Sequence, residues 1–154
     1  MLRLGAEPSN IAGVELNETR LNLAGKRLPD TVDLSLNLDL NDTTFDVVIL
    51  FTVLSSIVDQ ATRRSVAQSL WGRVRKGSLI FVYDFKFNNP KNSNVSKVTY
   101  REIFDYFPGR EHSFEKVVLA PPIARRVYPK SWFFGQCLNG MPFLRSHFVC
   151  CVKK

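Results

Sequence analysis

The alternation of apolar and polar positions divides this chain into strands and helices that follow one another in turn. The stretch IAGVEL (Ile11 to Leu16) reads as a short strand closing on an acid, Glu15. Asn17 is placed to cap a helix whose one face carries Leu21, Ala24, Gly25 and Leu28, and Pro29 stops it. From Val32 to Leu40 every second residue is apolar, the pattern of a half-exposed strand near a sheet edge. The apolar run FDVVILF (Phe45 to Phe51) predicts a strand covered on both faces. Asp59 can cap the next helix, whose buried stripe is Val66, Ala67, Leu70 and Val74, with Gly77 just past its end. SLIFVYDF (Ser78 to Phe85) reads as a second fully buried strand, followed by the polar loop KFNNPKNSNVSK. Thr99 with Glu102 forms a capping box that opens a helix through Phe107, ended by Pro108 and Gly109. The remainder predicts a strand near Phe114 to Ala120, a loop PPIARRVYPK, a short helix from Ser131 to about Leu138 and a last strand, HFVCCVK.

Strands and helices in this order predict an α/β fold built on a doubly wound, mostly parallel sheet. The chain is 154 residues long, with no repeat and no linker-like tract, which fits a single domain with its own core. Sheets of this kind bind ligands beyond the carboxyl ends of their strands. Three such ends carry chemically useful groups: Glu15; Phe51 with Thr52; and Tyr83 with Asp84.

Composition narrows the partners. The net charge of +7 is uneven. Residues 1–60 hold 4 Lys/Arg against 9 Asp/Glu, whereas residues 61–154 hold 17 against 5. A basic second half suits an anionic partner: a nucleotide-linked substrate, a phosphorylated glycan, nucleic acid or an acidic membrane surface. Ordinary solvated charge is the competing explanation. The longest apolar run is broken by Thr52, Ser55 and Ser56 and is too short to span a bilayer. The N-terminal stretch lacks a signal-peptide core. Cys137, Cys150 and Cys151 have no metal-binding spacing and read as reduced thiols of a cytoplasmic protein. His112 and His147 have no partnered spacing, so neither a metal site nor a nucleophile is assigned to them. Trp132, Phe133 and Phe134 read as packing for the last strands rather than as a binding cage.

An acid at the tip of a strand, with a capped helix behind it, can accept hydrogen bonds from both hydroxyls of a ribose. Taken in order, IAGVELNETRLNLAGKRL, FDVVILFTVLSSI and GRVRKGSLIFVYDF resemble the class I S-adenosylmethionine-dependent methyltransferases over residues 1 to about 110. The later YDFKFNNPKN and APPIARRVYPKSW look like a bacterial subset of that family. The resemblance implies S-adenosylmethionine as cofactor and S-adenosylhomocysteine as product. Glu15 would then hold the ribose, Leu16 and Asn17 would flank the adenosine, and Phe51 and Thr52 would line its other side. Asn37 and Asp39 are the candidates beside the adenine. Tyr83 and Asp84 would face the methyl acceptor, a small molecule or glycan, with Asp84 as the candidate base; its alternative is a cap or loop hydrogen bond. Asn88 and Asn89 are candidates for sugar hydroxyls or turn residues before Pro90. Arg125 and Arg126 could pair with a phosphate or form a solvated face.

One family feature is missing. A glycine-rich turn should lie about twenty residues before the ribose-binding acid, where it lets backbone amides approach the cofactor. Only fourteen residues precede Glu15, and neither Gly5 nor Gly13 replaces the motif. The first strand, central in the family's sheet, is missing with it. An N-terminally short sheet must rearrange or pair with another chain, which leads to the expectation of a homodimer. Three other readings compete with the enzyme. A non-catalytic methyltransferase remnant acting through protein association is favoured by the missing turn. Nucleic-acid binding lacks a compact basic patch interleaved with aromatics. A nicotinamide-dependent Rossmann enzyme would also need the missing glycines.

Overall fold

The computed structural model describes residues 2–37, 43–88 and 92–154. The chain divides into two compact units, Met1–Thr43 and Thr44–Lys154, each with its own sheet.

In the first unit two parallel strands, β1 (Ala12–Val14) and β2 (Asp33–Ser35), are connected by helix α1 (Glu18–Gly25). Asn17 caps α1 as its sequence context predicts: its Oδ1 accepts the amide of Arg20 at 3.0 Å. Position 13, opposite Leu34 in this pair, is glycine; a Cβ there would stand 3.0 Å from the end of the Leu34 side chain, which would have to shift slightly. The alternating pattern predicted β2 to continue to Leu40, and residues 38–42 lie outside the described residues.

The second unit carries a four-stranded sheet in the order β3 (Phe45–Phe51), β4 (Val74–Phe85), β6 (Arg145–Lys153), β5 (Glu111–Leu119). β3 and β4 are parallel, and β6 lies antiparallel between β4 and β5. Three strands therefore point one way and β6 alone the other, in agreement with the α/β, mostly parallel class read from the sequence. Helices α2 (Val53–Ser56) and α3 (Gln60–Arg73) connect β3 to β4, and α4 (Tyr100–Tyr106) leads to β5. Leu54, Ala67, Leu70, Ile103 and Phe107 of this connecting layer are buried, as are Leu50, Ile80, Val82, Phe148 and Cys150 on alternate positions of the sheet. Those alternate positions form one face of the sheet, and this is the core of the unit.

Three expectations are corrected. β3 is not covered on both faces: Leu50 is 4% exposed, but its neighbour Ile49 is 52% exposed. Among the described residues β3 pairs with β4 alone, so it is the edge of this sheet; an apolar run does not reveal how many neighbours a strand has. The PPIARRVYPK segment is a helix, α5 (Pro121–Val127), rather than a loop. Its prolines occupy the first turn, where the missing N–H has no intrahelical partner to lose. Gly77 is not the cap of α3, which ends at Arg73; it lies inside β4 at φ 85°, where the β3–β4 register shifts, and donates its amide to the carbonyl of Lys154. A further helix, α6 (Trp132–Asn139), lies where a short helix was predicted from Ser131 to about Leu138, and Ser131 proves to be its cap.

Candidate functional site

The residues singled out from the sequence fall into two groups. In the first unit, Glu15 and Asn37 follow the carboxyl ends of the paired strands β1 and β2, so the parallel register brings them to the same end of that sheet. Glu15 is half-buried, and its amide donates to the carbonyl of Ser35. Its Oε1 accepts the amide of Asn17 at 2.9 Å, which fastens the turn into α1. Oε2 takes no partner among the described residues, so an acceptor remains for hydroxyl groups. Leu16 is exposed beside it. Asn37 donates its amide to the Ser35 hydroxyl and accepts that hydroxyl's proton on its own carbonyl. A shallow hollow of about 430 Å³ in this unit is lined by Gly25, Pro29, Asp30, Val32 and Leu34, and not by Glu15.

In the second unit the carboxyl ends of β3 and β4 are held together in an unusual way. Thr52 stands in the left-handed region at φ 56°, ψ 29°. A β-branched residue there costs about 1–3 kcal/mol unless its surroundings enforce the conformation. They do so here: the Thr52 amide donates to the Tyr83 carbonyl at 2.8 Å, and its hydroxyl donates to the Phe51 carbonyl at 2.7 Å. Directly beyond it, the Ser55 amide at the start of α2 donates to Asp84 Oδ2 at 3.1 Å, while Asp84 Oδ1 accepts the amide of Phe85 at 2.8 Å. Asp84 is fully buried, and that burial raises its carboxyl above the ordinary value against the lowering effect of these hydrogen bonds.

Aromatic rings line the other face of the same strand ends. Tyr83 stacks on Phe51 with centroids 4.4 Å apart and on His147 at 5.1 Å, both within 14° of parallel. His147 also packs 4.3 Å from Phe85. Burial raises the Tyr83 phenol, with the Asp84 charge adding to the effect, and lowers the His147 imidazole. Both groups are therefore uncharged near neutral pH. His147 was given no role from sequence; the signal lay in the alternation of HFVCCVK, which sets His147 on the same face as Tyr83 once β6 pairs with β4.

The remaining candidates are more dispersed. Asn88 Oδ1 accepts the amide of Lys97 at 2.7 Å and so closes its own loop. Asn89 lies outside the described residues. Arg125 and Arg126 are exposed in the last turn of α5, and neither forms an ion pair among the described residues. No group of three His, Cys, Asp or Glu side chains able to hold a metal occurs among the described residues. No helix described is long and apolar enough to cross a membrane.

No family model matches the chain, and no curated protein matches it in sequence. Solved structures do match. A SAM-dependent methyltransferase from Archaeoglobus fulgidus superposes with a TM-score of 0.63 at 13% identity, covering 93% of this chain and 75% of its own. The N-methyltransferase NodS from Bradyrhizobium japonicum gives 0.62 at 8% identity, covering 93% and 72%. The chain has a class I methyltransferase-like fold. SAM-bound CalS10 from Micromonospora echinaspora, an amino pentose methyltransferase, matches with a TM-score of 0.55 at 17% identity, over 92% of this chain and 73% of that one. At such identities the likeness fixes the methyltransferase-like architecture, and the chemistry must be argued from the residues.

Proposed function

We propose that this chain binds S-adenosylmethionine and directs its methyl group to a small-molecule or glycan acceptor. The observation that carries the reading is the arrangement at the carboxyl ends of β3 and β4, where Thr52 is held in a strained turn and Asp84 fastens α2. Backbone strain of this kind concentrates at functional sites. The methyltransferase-like fold supports the cofactor assignment, since bound S-adenosylmethionine is part of a solved neighbour.

When bound, the cofactor supplies an electrophilic methyl on a sulfonium. The protein's task is to hold the acceptor in line with it, and positioning can contribute roughly 7–11 kcal/mol. In this reading Glu15 accepts the ribose hydroxyls on Oε2, flanked by Leu16 and Asn17, with Asn37 on the adenine side. Phe51 and Thr52 border the cofactor on β3. Tyr83 faces the acceptor as a neutral phenol. Asp84 is fully buried, so it reaches the acceptor as a base only if the strand ends open; as it stands, its task is to hold the Ser55 amide and so fix α2 behind Thr52. Asn88, Asn89, Arg125 and Arg126 are the candidates for acceptor hydroxyls and for an anionic group. Isothermal titration with S-adenosylhomocysteine tests the reading. Micromolar binding that is lost in Glu15→Ala supports it; absent or millimolar binding removes it.

The exposed edge strand β3 favours one other reading, a non-catalytic domain that acts by associating with another chain. In either case we propose a homodimer closed by strand pairing along β3, which light scattering would reveal as a doubled mass.

A further inference from the structure

α6 and the turn after it carry five large apolar side chains that are exposed. Trp132, Phe133, Phe134, Met141 and Phe143 are between 40% and 74% exposed. The sequence pointed to packing under the last strands, and the structure turns these residues outward for a local reason. α6 lays Gly135 against Tyr128, whose ring would stand 2.5 Å from a Cβ at that position, and Asn139 accepts the amide of Leu119 on β5 at 3.1 Å. With Gly135 and Asn139 committed to these contacts, the three rings of the first turn are each left more than half exposed. Ser131 caps this turn, accepting the amide of Phe134, so the three rings are held by a helix. A short 3-10 turn, Pro142–Leu144, presents Phe143.

The chain segment that carries this patch is charged with one sign. The last thirty-nine residues, Lys116 to Lys154, contain seven Lys/Arg and no Asp or Glu. Arg125, Arg126 and Lys130 lie immediately before α6 and are exposed. None forms an ion pair among the described residues. We propose that this face docks on a bilayer containing anionic phospholipid, with the α6 aromatics and Phe143 inserted at the interface and Arg125, Arg126 and Lys130 against the headgroups. Exposed aromatic side chains on a helix with a basic flank are what an anionic membrane interface takes up. This reading gives Arg125 and Arg126 a lipid partner in place of an anionic acceptor group, and the insertion of the aromatics does not rest on the reaction proposed above.

Other occupants fit less well. A second copy meeting the same face in a two-fold contact would set a segment of cations alone against itself. Nucleic acid would use ring faces aligned along a groove, whereas consecutive residues of one helical turn point about 100° apart.

The test is co-sedimentation of the full chain with vesicles of phosphatidylcholine alone and of phosphatidylcholine mixed with phosphatidylglycerol. The chain is expected to sediment with the anionic vesicles, its tryptophan emission shifting to the blue. Trp132→Ala or Phe133→Ser should weaken this partition by roughly ten- to a hundredfold. Arg125→Gln and Arg126→Gln should each weaken it about fivefold, and on the anionic vesicles alone. All four substitutions are at exposed positions, and an unchanged melting temperature confirms that the fold is intact. No sedimentation with anionic vesicles overturns the proposal, as does partition that is indifferent to the aromatic substitutions. A dimer abolished by Trp132→Ala would make the face a self-interface, and oligonucleotide binding abolished by it would make the face a nucleic-acid surface; either result replaces the membrane.

Discussion

Arg63 is the buried charge on which the helical layer of the second unit depends, and Arg63→Ala is the perturbation that measures it. Its side chain is 1% exposed. Nε donates to the Ile57 carbonyl at 2.9 Å, Nη1 to the Lys97 carbonyl at 3.2 Å and to Glu102 Oε1 at 3.1 Å, and Nη2 to the Ser96 hydroxyl. One guanidinium thus connects α3, the segment before α4 and the capping box of α4, where Glu102 Oε2 accepts the Thr99 amide at 2.8 Å and its hydroxyl at 2.7 Å. Removing one partner of a buried pair costs about 3–5 kcal/mol because the other charge and its acceptors are left without donors. For a chain of this size that corresponds to a fall in melting temperature of roughly 6–20 °C. The control is Arg64→Ala one position along, whose 3.9 Å contact with Asp105 joins two half-exposed side chains; it should cost about 0–1 kcal/mol. The pH dependence has a definite sign. Burial works against the Glu102 carboxylate, but the Thr99 hydrogen bonds, then the Arg63 charge and the Tyr106 phenol, hold it below its ordinary value. A depressed carboxyl contributes stability above the unfolded value, about pH 4.3, and loses it as pH falls through the folded value. The gap in stability between the parent chain and Arg63→Ala should therefore narrow in acid. Thermal melts followed by circular dichroism across pH 3 to 7 read both effects. An Arg63→Ala melting temperature equal to that of Arg64→Ala, or a gap that widens in acid, would refute the assignment.

Two further outcomes follow from packing. Gly109→Ala should destabilise the chain severely, by about 2–4 kcal/mol, because a Cβ there would lie 2.5 Å from the backbone oxygen of Lys153, and a thermal melt will register it. Thiol labelling of the native protein at pH 8 should modify exposed Cys137 rapidly and spare Cys150, whose thiol burial pushes up to about 12; rapid labelling of Cys150 in the folded state would contradict its placement in the sheet core.

What the sequence disclosed and what it concealed separate along a physical line. The caps at Asn17, Asp59 and Thr99 were legible because each is a contact between a side chain and an amide within three residues. The class of fold was legible because helical and strand periods alternate. The covering of β3 was not, since Phe45 to Phe51 has the same spelling with one neighbour or two. The outward turn of Trp132 to Phe134 was also hidden, because it depends on Gly135 meeting Tyr128 and on Asn139 meeting β5, contacts that a helical period does not encode. Arg63 was hidden for a related reason: an arginine within a helix reads as solvated until partners from three segments surround it.

The carboxyl ends of β3 and β4 show how such long-range contacts could produce a site. Thr52 in isolation would leave the left-handed region, since its branched Cβ crowds the following carbonyl. It stays because Tyr83 accepts its amide, and Tyr83 is in turn fixed between the rings of Phe51 and His147. Asp84, beside Tyr83, binds the Ser55 amide three residues beyond Thr52 and so fixes the helix that Thr52 opens. The strain at Thr52 and the burial of Asp84 are each unfavourable alone, and each is offset by a contact the other helps to hold in place. A chain selected for stability alone would place glycine at the turn and an apolar residue at position 84. That both costs occur together, at the strand ends where an α/β sheet binds ligands, is the physical reason for locating the chemistry there.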